Sequence, residues 1–336
     1  MQTQAGHRPC HRRITHPRSG ATWIEVTVLV FILLTLAALL LPAVRSSRPV
    51  ARRVECQNNV KQLTIAVMHY TAQSNGQLPW LTTKNDEGIV SNWLVDLLPG
   101  LDNSAARREW DSLPAVERAN FEFSLKAFQC PVDPTSFQQD GGLSYVANSG
   151  FGNFDVDPKT NAVFEKKPHG QSSVDWNGDG IISQQDLALT ISTGVFWPKI
   201  DGDRFRSNLD FIAANDGLSS TIQFTESLHA GKWNSAETLD LAVVVGVDRV
   251  TFRQDSDGNP SLALVSADLG PYGIQSGTVP GHTPSPSSNH GGTSIYGLAD
   301  GSVRQISDKI DPLVYLRLMT PNGQRYGEAA LGPEAY

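Results

Sequence analysis

Twelve residues, Asp175-Trp-Asn-Gly-Asp-Gly-Ile-Ile-Ser-Gln-Gln-Asp186, place oxygen donors where a hard cation needs them. Asp175, Asn177, Asp179, Ser183 and Asp186 occupy the side-chain positions of a twelve-residue calcium loop. The Ile181 carbonyl supplies the backbone ligand, and Gly180 permits the sharp turn. Asp186 is shorter than the bidentate Glu that usually closes such a loop, so Ca2+ is expected to bind weakly, at about 10⁻⁴–10⁻³ M, in a structural role. The alternative is an Asp/Gly-rich turn without an ion. A second candidate pair is His290 and Asp300. Ile295, Gly297 and Ala299 alternate into Asp300-Gly301, and Val303 and Ile306 continue the pattern, which is the signal of a β-hairpin with a tight turn. Asp300 is therefore read as a turn residue, and His290 as a hydrogen-bonding group at the hairpin base, with metal ligation and catalysis as alternatives. No HxxxH, GxSxG or Cys-His arrangement accompanies them, so the chain is not expected to be an enzyme.

The elements carrying these residues belong to a chain of 336 residues with a net charge of −7. Residues 1–53 hold eight arginines against one acid, Glu25, so the acidity lies in the remainder. An acidic body repels phosphate, and no nucleic-acid partner is expected. Three cysteines without a CxxC pair exclude a zinc ribbon and a thioredoxin-like site. Abundant Gly and Pro with few charges predict a loop-rich, β-containing body of an extracytoplasmic kind.

Residues Val26–Val44 carry no charge. As a helix they rise roughly 28 Å, close to the ~30 Å hydrocarbon thickness, and predict a transmembrane segment. A cleavable secretory signal is the alternative. Glu25 stands at the start of the run, where a carboxylate either caps the helix through its dipole or awaits a charged partner.

Arg18-Ser19-Gly20 followed by Ala21-Thr22-Trp23-Ile24-Glu25 resembles the class III signal of type IV prepilins. The resemblance implies cleavage between Gly20 and Ala21 by a prepilin peptidase, methylation of the new terminus, and use of Glu25 in assembly with other pilin-like subunits or secretion machinery. It places the leader in the cytoplasm and residues 45–336 outside, on a single-pass inner-membrane anchor. Cys10 then leaves with the leader, and Cys56 and Cys130 remain. A disulfide between them is expected in an oxidising compartment, worth roughly 4 kcal/mol in the chain-entropy model; two buried free thiols are the alternative.

Further blocks resemble the prepilin-like group that carries domain of unknown function 1559. They include Leu41-Pro42-Ala43-Val44, Cys56-Gln57-Asn58-Asn59, Trp93 with Leu97-Leu98-Pro99, and Cys130-Pro131 with Asp133-Pro134. Ser144-Tyr145-Val146-Ala147-Asn148, Asp216-Gly217 through Glu226, and His290 spaced from Asp300-Gly301 as an H-X9-DG element complete the match. The group implies a pilin-like architecture, a loose association with solute-binding proteins and no established activity. Two functions follow: a structural subunit of a pilus or type II secretion-like assembly, or a binding protein for a solute or glycan on a pilin-type anchor. The calcium-like loop and Leu187, Ala188, Leu189 and Ile191 also resemble a dockerin half-site.

The fold expected is α+β: a long N-terminal transmembrane and stem helix of pilin-like kind, followed by a globular domain on an antiparallel β-sheet. The leader covers 1–20, the transmembrane helix 21–44, the stem helix 45–73 and the domain 74–336, with a calcium-loop insertion near 171–192. Val60, Leu63, Val67 and Tyr70 give the stem an inward face, and Pro42 and Pro49 predict a kink or break. One sheet is expected to hold strands at Gly194–Trp197, Thr221–Glu226, Leu241–Val247, Arg249–Arg253, Ser261–Ser266, Thr293–Ala299 and Ser302–Ile306. Helix is expected within 101–129. Glu226 is read as a strand-end group, and Trp93, Trp110, Trp197 and Trp233 as core aromatics, a surface groove being the alternative.

Overall fold

Helix α1 (Trp23–Gln73) opens the chain, and its start is set by Thr22 and Glu25. The Thr22 amide donates to Glu25 Oε2 at 2.8 Å and the Glu25 amide to Thr22 Oγ1 at 3.4 Å, so each side chain satisfies a donor that the first turn leaves free. The computed structural model describes residues 20, 22–200, 205–253, 261–276, 279, 281–282 and 284–332, the side chains of 39–47 excepted. Residues 1–19 and Ala21, and with them Cys10 and the expected cleavage, lie outside the described residues. Two units divide the chain, Met1–Arg48 and Pro49–Tyr336.

In the first unit, Trp23, Ile24, Leu29, Phe31 and Leu34 are all exposed, so the helix is apolar around its circumference. Among the described residues, however, no helix is long and apolar enough to cross a membrane. This corrects both the transmembrane part of the expected fold and the single-pass inner-membrane localisation. The described apolar side chains run from Val26 to Ala38, roughly 20 Å of rise against ~30 Å of hydrocarbon, and Arg48, Arg52 and Arg53 follow in the same helix. Nor does the helix break at Pro42 or Pro49.

In the second unit, α1 buries Cys56, Asn59, Val60, Leu63, Ala66 and Val67, a three-and-four spacing that keeps one face inward. Next come the hairpin β1 (Thr82–Asn85) and β2 (Gly88–Asn92), then α2 (Trp93–Leu97), α3 (Ser104–Ser112) and β3 (Tyr145–Gly152). The hairpin β4 (Phe154–Val156) and β5 (Val163–Glu165), α4 (Gln184–Ile191), α5 (Leu209–Ala214) and β6 (Ile222–Glu226) follow. The chain continues with α6 (Thr238–Leu241), β7 (Ala242–Gly246), the pair β8 (Val250–Arg253) and β9 (Ala263–Ala267), the hairpin β10 (Thr293–Leu298) and β11 (Val303–Ser307), and α7 (Pro312–Met319).

The central sheet has the order β11-β10-β6-β3-β7. It is mixed, not antiparallel as expected, because β7 pairs with β3 in parallel. Glu226 lies opposite Tyr145 and Ala242 opposite Ala147, so the chain leaves β6 and enters β7 at the same end of the sheet, passing β3 by. Every residue of β3, β6 and β7 is buried, which matches the unbroken apolar run Ala-Val-Val-Val in β7. β8 and β9 form a separate ribbon, so one sheet does not hold all the strands.

Gly194–Trp197 is not a strand. Its Val195 and Phe196 amides both donate to the Asn148 carbonyl, at 3.1 and 2.9 Å, where β3 is bulged. At that bulge Gly150 has φ +67° and stands backbone to backbone with Gly194, where a Cβ would overlap the Gly150 amide. Within 101–129 the helix is confined to α3 and short 3-10 turns. Pro114 forces Leu113 into an extended conformation at ψ 142° and stops α3 there.

Candidate functional site

Four segments meet at the end of the central sheet where β6 stops. α1 brings Cys56, the loop before β3 brings Cys130, the last residue of β6 is Glu226, and His290 precedes β10. Cys56 and Cys130 are bonded, with Cα atoms 5.2 Å apart. His290 Nε2 lies 3.1 Å from Glu226 Oε1 and 3.4 Å from Cys130 Sγ, so one nitrogen faces both a carboxylate and the disulfide. All four residues are buried, and their ligand atoms lie within 4.8 Å of one another.

The surroundings hold this cluster in place. Glu226 Oε2 accepts from the Ile295 amide at 2.9 Å, which ties β6 to β10 through a side chain beyond the ladder bonds. Arg53 donates to the His290 carbonyl from α1. Asn59 Nδ2 donates to the carbonyls of Gln129 and Lys126, at 2.9 and 3.1 Å, locking the Cys130 loop to the helix that carries Cys56. Asp133 is buried and accepts from Ser136 and Ser144 hydroxyls at 2.6 and 2.7 Å, while Ser144 Oγ accepts from the Cys130 amide at 2.9 Å. Tyr145 donates to the Cys56 carbonyl at 3.4 Å; burial, and then the charge of Glu226, push its phenol well above the usual tyrosine range.

His290 and Asp300 do not share a site. The six-residue strand β10, ~20 Å long, separates the segments that carry them. Asp300 Oδ1 accepts from the Ser302 amide at 2.8 Å, and Gly301, at φ +80°, completes the hairpin turn. The Gly301 carbonyl then accepts from Lys61 Nζ at 2.7 Å and from Thr64 Oγ1 at 3.3 Å. The H-X9-DG element thus fastens both ends of β10 to α1, through the cysteine cluster at one end and through Lys61 and Thr64 at the other.

The calcium-like loop is folded around its own backbone. Asp175 accepts from the Gly178 and Gly180 amides at 2.8 and 2.7 Å, Asn177 Oδ1 from the Asp179 amide at 3.0 Å, and Asp179 from the Ile181 amide at 2.7 Å. Gly178 and Gly180 take the positive φ values, 73° and 85°, that this winding requires. Asp186 serves α4 instead. It accepts from the Trp176 amide at 2.9 Å and from the Ser183 amide and hydroxyl, and it forms a capping box with Ser183. These bonds hold its carboxyl below the usual range despite the opposing cost of burial. Among the described residues, Cys56, Cys130, Glu226 and His290 are the one group of three or more His, Cys, Asp or Glu residues gathered closely enough for a metal ion; Asp175, Asp179 and Asp186 are not so gathered. Trp93, Trp110, Trp197 and Trp233 are buried core aromatics.

Asn59 and Asp133 stand in blocks that resemble the family, but the sequence assigns no role to them or to Arg53. For Asp133 the signal was present: a carboxylate ahead of Thr135 and Ser136 offers its oxygens to donors two and three residues on.

A family model described as protein of unknown function (DUF1559) matches residues 45–313. The chain belongs to that family. The DUF1559 match takes in all four residues of the cluster and both ends of the H-X9-DG element, and it begins after Gly20 and Glu25. No curated protein and no solved structure matches the chain.

Proposed function

We propose that the chain is a non-enzymatic structural subunit of the pilin or pseudopilin kind, assembling with copies of itself through the N-terminal part of α1. The observation that carries this reading is the helix that exposes Trp23, Leu29, Phe31, Leu33 and Leu34 on all its sides. A helix apolar all round is stable only when surrounded, and one neighbour covers one face, so several copies are required. Glu25 belongs to this reading as the residue that would pair with a neighbour's amine after a prepilin peptidase cuts behind Gly20. Ca2+ at Asp175–Asp186 is proposed as an accessory structural ion, supported by the donor spacing and the loop's winding.

Cross-linking tests the assembly. Leu33→Cys, which adds one free thiol per processed copy, should yield disulfide-linked dimers on oxidation. Glu25→Gln in that background, which keeps the capping hydrogen bond but removes the charge, should lower the dimer yield several-fold. Only monomer from Leu33→Cys would remove the proposal, and an unchanged dimer yield with Glu25→Gln would return Glu25 to capping alone.

A second reading, a binding domain for a polar solute or glycan, is favoured by one cleft. Its volume is about 540 Å³, and Lys84, Asp86, Glu165, Lys199 and Glu237 line it. Lys84→Ala should weaken oligosaccharide binding tenfold in calorimetry, and absence of heat with any oligosaccharide tried would leave the cleft without this role.

A further inference from the structure

We infer that the reduced chain binds one zinc ion between Cys56 Sγ, Cys130 Sγ, Glu226 Oε1 and His290 Nε2, so that a disulfide and a metal are alternative closures of the same site. Zinc bonds of about 2.3 Å to sulfur and 2.0–2.2 Å to nitrogen or oxygen place the ligand atoms of a tetrahedral site roughly 3.3–3.8 Å apart. The edge from His290 Nε2 to Glu226 Oε1 is already 3.1 Å and that to Cys130 Sγ 3.4 Å. All ligand atoms lie within 4.8 Å of one another and all four residues are buried, so water does not compete for the position. The largest change falls on the sulfur–sulfur edge, which must open from a covalent bond to a non-bonded distance, and the 5.2 Å Cα separation leaves that to side-chain rotation.

The donor set selects the metal. Two thiolates and an imidazole suit a borderline-soft ion such as Zn2+ over Ca2+ or Mg2+, which take oxygen. Two thiolates and a carboxylate leave the zinc site one negative charge, and Arg53, bonded to the His290 carbonyl, is a nearby cation. The Ile295 amide on Glu226 Oε2 fixes the carboxylate so that Oε1 faces the centre, the kind of outer support that ligating carboxylates have.

The conversion balances as follows. Two external thiols give two electrons and two protons to the disulfide, leaving Cys56 and Cys130 as thiols and an external disulfide as product. Zn2+ then replaces both thiol protons, which pass to solvent. In either state α1, the Cys130 loop, β6 and the segment before β10 stay joined.

The test uses the full chain, reduced by a phosphine without air, with Co2+ as the spectroscopic probe. One equivalent should bind, with sulfur-to-cobalt charge-transfer absorption in the near ultraviolet and tetrahedral visible bands, both lost on adding Zn2+. The air-oxidised chain should show neither. His290→Ala and Glu226→Gln, which keep both cysteines, should each bind Co2+ at least tenfold more weakly. Unchanged affinity in His290→Ala, or no thiolate band in the reduced wild-type chain, would overturn the proposal. A second measurement needs no variant: Zn2+ should protect Cys56 and Cys130 of the reduced chain from alkylation until a chelator is added. Equal labelling with and without zinc would also overturn it.

Discussion

At the scale of single residues, Asn59, Asp133 and Glu226 are buried polar groups that tie separate segments together. Glu328 shows the cost. It is buried after α7, accepts from Thr320, and leaves its Oε1 without a partner. Burial first, and then the charge of Asp216, push its carboxyl up to about 8. A carboxyl raised on folding contributes stability that is complete below its unfolded value, about 4.5, and is lost as pH rises through about 8. The melting temperature should therefore fall between pH 5 and pH 9, and Glu328→Gln should flatten that fall; an equal slope in both proteins would refute the assignment. Nothing in the sequence marked Glu328, because neither its burial nor its distance from Asp216 is a local property. Glu25 was more legible: Thr22 and Glu25 are spaced as a capping box, and they form one.

At the scale of elements, the expected strands were found where β6, β7, β8, β9, β10 and β11 lie, Gly194–Trp197 was not a strand, and β3 was not anticipated. β3 is buried on both faces, and its Asn148, Ser149 and Gly150 break the apolar pattern because they serve the bulge and the segment at Gly194. Its place inside the sheet, between β6 and β7, was therefore invisible, as was the parallel pairing with β7. The β10–β11 turn was legible because Asp-Gly is a local signal, while the docking of its carbonyl on Lys61 and Thr64 was not. Gly301→Ala tests that turn: a side chain at φ +80° costs about 1–2 kcal/mol, and the added Cβ also meets Met68 Sδ at 3.0 Å. Melting should drop with the disulfide intact, and an unaltered melting temperature would show that the turn relaxes freely. Calcium belongs to this scale as well. Tenfold excess over the dissociation constant should add about 1.4 kcal/mol to stability. Asp179→Ala should abolish the gain, and no melting shift at several millimolar calcium would leave Asp175–Asp186 an ordinary turn.

At the scale of the whole molecule, membership of the DUF1559 family was legible from the order of short blocks, several of which mark junctions: Cys56 and Asn59 on α1, Cys130 and Asp133 in one loop, Glu226 at a strand end, and His290 and Gly301 at the two ends of β10. What these blocks do together was not legible, since the residues that meet are 74 apart in the case of the cysteines and 64 apart in the case of Glu226 and His290. The disulfide has a mechanical consequence. It is a covalent rung between α1 and the loop that leads directly into β3, the strand flanked by β6 and β7. A pull arriving along α1 reaches Cys56 and passes through sulfur toward an interior strand, where ladder bonds on both sides share the load in shear. Non-covalent contacts farther along α1, at Val60, Leu63 and Val67, are spared that tension, so resistance is set by the sheared ladder of β3 and not by a hydrophobic face.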